Sequence, residues 1–225
     1  MTTTDKAPRL GAAGEIKPHL RGWLHAGTVP LLGAGIIVLI CLAHGTGPKW
    51  SLAVYLACAI ILFGVSATYH IGTWSTPVRD TFRRLDHANI FVFIAGTYTP
   101  LSVILLTGVD RIAVLALIWG CAVAGVLTAV FWLSAPRWVQ AIFYVVMGWA
   151  AVWWMPQFAR AGGIAVIILV IVGGVVYSLG AVIYAMKRPN FSKTWYGFHE
   201  LFHTFTIIAA FCHYAAITIA VMKTR

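Results

Sequence analysis

Seven runs of apolar side chains, each close to the length that spans a bilayer, leave this chain few ways to fold. They lie roughly at 25–46, 51–71, 88–107, 112–133, 139–156, 163–185 and 198–221. A bilayer's hydrocarbon core takes about 20 helical residues to cross. Lipid offers no partner to unpaired backbone, so such runs cross as helices. Only 10% of the 225 residues are charged and 60% are hydrophobic, whereas soluble domains carry about 25% charged residues. The expected fold is an all-α integral membrane protein, a seven-transmembrane helix bundle. Residues 1–24 read as a short polar arm without the apolar region of a secretory signal, and residues 25–225 as the membrane domain. Every connection is brief, so no separate soluble domain is expected.

Local features refine this picture. Pro30 and Pro100 should kink their helices, and Pro156 should close the short fifth span. Gly33/Gly35 and Gly173/Gly174 suit close helix packing. Cys41, Cys58, Cys121 and Cys212 lie apart in apolar runs, form no CxxC pair and read as small core-filling residues. No internal repeat supports an inverted-repeat transporter. The net charge of +10 needs no nucleic-acid partner, because basic residues beside spans fix orientation. Eleven of them (Lys6, Arg9, Lys17, Arg21, Arg79, Arg83, Arg84, Arg137, Lys187, Arg188 and Lys193) fall on one side, and five (Lys49, Arg111, Arg160, Lys223 and Arg225) on the other. The N-terminus is therefore expected in the cytoplasm and the C-terminus outside, in a multi-pass protein of the cell membrane.

Against this apolar background His70, Asp86, His199 and His203 stand out at the ends of three spans. Ionisable groups in membrane spans are costly and mark pathways, relays or bound ions. The topology brings all four to the cytoplasmic boundary: His70 at the end of span two, Asp86 in the first turn of span three, His199 and His203 in the first two turns of span seven. His199 and His203 are four apart and share one helix face, a clamp for a divalent ion that His70 would complete. Three protein nitrogens plus one water is the catalytic arrangement of zinc. Asp86 is then either a fourth ligand or the group that holds and deprotonates the water. Ser66, one turn deeper than His70 on its face, could bond the site or a substrate oxygen.

Other readings weigh against these. Polar side chains in bundles also simply hydrogen-bond across helices. Taken singly, His25, His44 and His213 read better as structural or interfacial, and His87 points about 100° away from Asp86. His199-Glu200-Leu201-Phe202-His203 matches the H-E-x-x-H pattern whose Glu is a general base. The third ligand of such an enzyme normally follows downstream, yet here only the rest of the same helix follows. Glu200 is therefore expected at the rim or paired with a basic residue.

Ser66-x3-His70, Leu85-Asp86 sixteen residues after His70, and His199-x3-His203 near the C-terminus together resemble the haemolysin III and progestin/adipoQ receptor family. Ala95-Gly96-Thr97-Tyr98-Thr99-Pro100 looks like its bacterial members. The resemblance implies zinc on His70, His199 and His203, Asp86 holding the metal's water, and Ser66 lining the site. It implies a role in membrane lipid or fluidity homeostasis. Through the related alkaline ceramidases it implies hydrolysis of a lipid amide, with membrane lipids as substrate. A non-catalytic receptor or sensor with a structural zinc, and a lytic or conducting protein, are the alternatives. The oligomeric state stays open.

Overall fold

The computed structural model describes residues 18–132, 136–192 and 194–224. Among these residues there are eight α-helices, one short 3-10 turn and no strand. The helices are α1 (Trp23–Leu42), α2 (Thr46–Ile71), α3 (Thr76–Leu105), α4 (Gly108–Phe131), α5 (Arg137–Gly148), α6 (Met155–Gly162), α7 (Ile164–Met186) and α8 (Phe198–Lys223). Seven segments are long and apolar enough to cross a membrane, the fifth being Arg137–Gly162.

Helices α1 to α4 pack side by side in sequence order, α5 packs mainly on α7, and α8 closes the bundle between α7 and α1. The central helix is α3: 72% of its most apolar window is buried, against 50% or less in every other span. It touches α2, α4, α5, α6 and α8. Outward faces remain apolar, as Leu31, Ile37 and Val38 on α1 illustrate, while Leu32, Ile36 and Leu39 of the same helix are buried. Water would oppose such a surface, but hydrocarbon does not. Small residues set the close approaches. A Cβ at Gly125 would overlap the Phe91 ring, one at Gly96 would lie 2.6 Å from the Cys58 Cβ, and one at Gly35 would lie 2.7 Å from the Tyr214 hydroxyl. Gly173 is likewise filled by the His213 ring, whereas Gly33 makes only an ordinary contact with Leu56.

Two sequence expectations need correction. Pro156 does not close the fifth span: α5 gives way to the 3-10 turn Val152–Trp154, and Pro156 then sits in the first turn of α6, which continues to Gly162. Proline is tolerated there because first-turn N–H groups have no intrahelical partner. Nor does Asp86 stand in a first turn. The α3 helix starts ten residues earlier, at Thr76, with Ser75 at its N-cap and Pro77 in its first turn. The charged stretch Arg79–Arg84 continues the helix without meeting the apolar criterion for a span. Pro30 and Pro100 lie inside continuous α1 and α3. Most of the polar arm, residues 1–17, lies outside the described residues.

Candidate metal centre

The last turn of α2, the third turn of α3 and the first two turns of α8 meet at one end of the bundle. His70 (7% exposed), Asp86 (8%) and His203 (2%) are buried there, together with Ser66 (1%). One ring nitrogen from each of His70, His199 and His203 lies within 4.8 Å of the others. The Nε2 atoms of His70 and His199 are 3.1 Å apart. Two nitrogens bound to one tetrahedral zinc at about 2.0–2.1 Å would stand roughly 3.3 Å from each other. The donor set therefore fits an ion with little movement. A hydrogen bond between the two imidazoles would satisfy this pair as well, but it leaves His203 beside them without a purpose.

Asp86 has an informative position. Its Oδ2 lies 3.6 Å from the Nε2 of His70, the same nitrogen that faces His199. A carboxylate that merely orients a ligand histidine takes the other ring nitrogen. Asp86 instead approaches the His70 nitrogen that faces His199, while the three imidazoles alone make up the close donor group. Ser66 is buried one turn before His70 on the same helix.

Several participants escape a reading of the sequence alone. His25 of α1 lies flat on His203, with ring centroids 3.8 Å apart and planes 8° from parallel, and meets the edge of Phe63 at 5.0 Å. Both of its ring nitrogens are buried without a partner. It packs on the face of a candidate ligand and is not one of the converging donors. Gly22, just before α1, adopts a left-handed φ of +85° and presses on the end of α2: a Cβ there would stand 2.9 Å from the His70 Cβ. Arg21 donates from Nε to Glu200 Oε1 at 2.7 Å, and the Gly197 N–H donates to Glu200 Oε2 at 2.8 Å. Glu200 thus pairs with a basic residue as expected, but inside the protein at 1% exposure, not at the rim. It also caps the start of α8, one half of a capping box, since Gly197 has no side chain to return the bond. His19 adds a backbone bond to Thr194 and a ring contact with Trp195. Residues 19–22 consequently strap the loop before α8 to the end of α2.

The remaining histidines divide. His87 points away from Asp86, as expected, to within 3.4 Å of the Tyr184 hydroxyl. The Tyr184 ring is 6.2 Å from that of His199 and carries the Arg137 guanidinium 5.4 Å from its centroid. His213 sits deep in the bundle, at an apolar cavity lined from α3, α5, α7 and α8, with Phe202 and Thr206 among its walls.

The sequence connects the chain to known proteins. It is 27% identical over 175 residues to a hemolysin-3 homolog of Bacillus subtilis (strain 168), covering 76% of this chain and 79% of the relative. A heptahelical transmembrane protein ADIPOR2 of Oryza sativa subsp. japonica is 27% identical over 194 residues, 78% of this chain and 83% of its own. The human monocyte to macrophage differentiation factor is 26% identical over 218 residues, 93% and 88% of the two chains. A model of haemolysin-III related proteins matches residues 14–214 and so takes in every residue of the candidate centre. With seven helices, a buried histidine cluster and a match over nearly its whole length, the chain belongs to the haemolysin-III related family, which extends to the adipoQ receptor-type proteins.

Proposed function

We propose that this protein is a zinc-dependent hydrolase of membrane lipids that cleaves an amide bond and so adjusts membrane composition. The observation that carries the reading is the convergence of three imidazole nitrogens within 4.8 Å of one another, two of them from buried histidines, with the Asp86 carboxylate at the same nitrogen of His70. His70, His199 and His203 would hold the ion through one nitrogen each, and nitrogen-rich sites of this kind suit zinc. When bound, zinc would supply Lewis-acid polarisation of the scissile carbonyl and a water acidified to a pKa of about 7. Asp86 takes the proton of the attacking water, and Ser66 lines the site. The apolar cavity with Phe202 and Thr206 among its walls accommodates the acyl chain. The Lys/Arg bias of the loops supports a cytoplasmic location for this end of the bundle.

Metal analysis of the purified protein should find about one zinc per chain, absent from His199→Ala. Mass analysis of lipids incubated with the protein should show an amide-cleavage product that His199→Ala does not form. Asp86→Asn should retain zinc and lose about 10²–10⁴-fold in turnover, the usual contribution of a general base. Undiminished turnover in the metal-free variant would overturn the proposal. Zinc without any lipid product, but with stability lost on its removal, would replace it by a receptor or sensor with a structural ion.

A further inference from the structure

Most polar side chains that line the cavity already have a protein partner. Thr97 donates to Phe93 O, Tyr98 to Gly148 O, Trp149 to Ser178 Oγ, Ser178 to Gly174 O and Thr206 to Phe202 O. Two atoms stand apart: the Tyr177 hydroxyl and His213 Nδ1 are buried without a hydrogen-bond partner. Their rings are neighbours, with centroids 5.6 Å apart, and both residues line the cavity. Gly173 makes room for His213, since any side chain there would collide with the imidazole. Unsatisfied buried polar groups are uncommon and ask for an explanation. Two on neighbouring rings that line one apolar cavity ask for the same one.

The chemistry of the missing partner follows from the bonds present. His213 Nε2 lies 3.3 Å from Val170 O. A carbonyl only accepts, so Nε2 carries the proton and Nδ1 is an acceptor. The Tyr177 hydroxyl is free to donate. A single alcohol satisfies both, accepting from Tyr177 and donating to His213 Nδ1. We propose that Tyr177 and His213 form a hydroxyl-recognition site for a lipid whose alkyl chain fills the cavity. Where the hydroxyl sits on the chain rests on the hydrolase reading, with the carbonyl at the metal centre. His213 is ten residues beyond His203, about 15 Å along the helix. An extended chain with C–C bonds of about 1.5 Å advances roughly 1.3 Å per bond, which places the hydroxyl about twelve carbons from the carbonyl.

Displacement of radiolabelled octadecanoic acid from the purified holoprotein tests this with three competitors: 12-hydroxyoctadecanoic, 6-hydroxyoctadecanoic and unlabelled octadecanoic acid. Two neutral hydrogen bonds predict that the 12-hydroxy acid binds about ten- to thirtyfold more tightly than the plain acid. The 6-hydroxy acid should gain nothing. Tyr177→Phe removes only an unpartnered hydroxyl, so it should fold normally and lose most of the preference, and His213→Gln should weaken it independently. In His199→Ala the advantage of a hydroxyl should persist while the two positions become equivalent, because the carbonyl is no longer anchored. Equal affinity of the wild type for all three acids would overturn the proposal, the two atoms then holding a buried water. So would a preference unchanged by Tyr177→Phe. Preference for the hydroxyl in a protein that holds no zinc would sustain this site while removing the hydrolase reading.

Discussion

Replacing Glu200 and Arg21 separates two roles for the same carboxylate, catalytic base or structural tie. The H-E-x-x-H spacing assigns the first role, and the geometry assigns the second. Both oxygens of Glu200 are engaged, one by Arg21 Nε at 2.7 Å and one by the Gly197 N–H at 2.8 Å. Glu200→Ala loses a helix cap, about 1 kcal/mol, and a charge-assisted hydrogen bond, about 1.5–3 kcal/mol. Its partner's side chain is 21% exposed and can find water, so the total stays near 3 kcal/mol. Arg21→Ala is the worse lesion. It strands a carboxylate at 1% exposure, which costs about 3–5 kcal/mol when a buried pair is broken from one side.

Thermal unfolding in detergent should show this asymmetry. At roughly 2–4 °C per kcal/mol for a chain of this size, Arg21→Ala should fall by about 10 °C and Glu200→Ala by less. The double variant should lose less than the sum, as residues in direct contact do. Glu200→Gln keeps an oxygen for one donor and should retain zinc, with lipid turnover close to wild type. A general base contributes about 10²–10⁴-fold. A hundredfold loss of turnover in Glu200→Gln, with melting temperature and zinc content intact, would refute the structural assignment and restore the zincin-like one.

The strap and the stacked ring give two further tests. Gly22→Ala should cost about 1–2 kcal/mol for the left-handed backbone alone. Its Cβ would press on that of His70 at 2.9 Å, so zinc affinity should fall with stability, and unchanged affinity would free His70 from the strap. His25→Phe preserves a flat ring against His203 and removes two unpartnered nitrogens, so zinc should be retained. His25→Ala leaves a void worth about 2–5 kcal/mol and should loosen the metal. Equal zinc affinities in these two variants would show that the stack does not position His203.

The fold was legible because bilayer thickness sets a length that apolar runs either meet or miss, and all seven spans met it. The candidate cluster was legible for a related reason: four ionisable groups against an apolar background are conspicuous, and antiparallel helices bring the end of α2, the third turn of α3 and the start of α8 to one level. Ends of helices were harder. The Thr76–Leu85 stretch is polar yet helical, so the apolar edge near residue 88 marked where α3 enters lipid and not where it begins. The strap left no periodic signal at all. Arg21 and Glu200 are 179 residues apart, and a basic residue before the first span reads as a topology signal whether or not it also makes an ion pair. His25 and His213 fail for another reason. A solitary histidine in an apolar run looks the same on paper whether it lines a cavity, stacks on a ligand or fills the core.

Charge at the site end distinguishes the two carboxylates near the histidines. The positive end of the α8 dipole points at the cluster through His199 and His203 and disfavours a cation there. The C-terminal end of α2, which carries His70, favours one. Glu200 lies at the α8 terminus, but its charge is committed to Arg21 and to the Gly197 N–H. Asp86 faces an imidazole nitrogen of His70 at 3.6 Å. A base must be free to take a proton, and a carboxylate locked to a guanidinium gives up that ion pair when it does so. Of the two acids, Glu200 is the one already held by a guanidinium, and Asp86, facing His70, is the one on which turnover should depend.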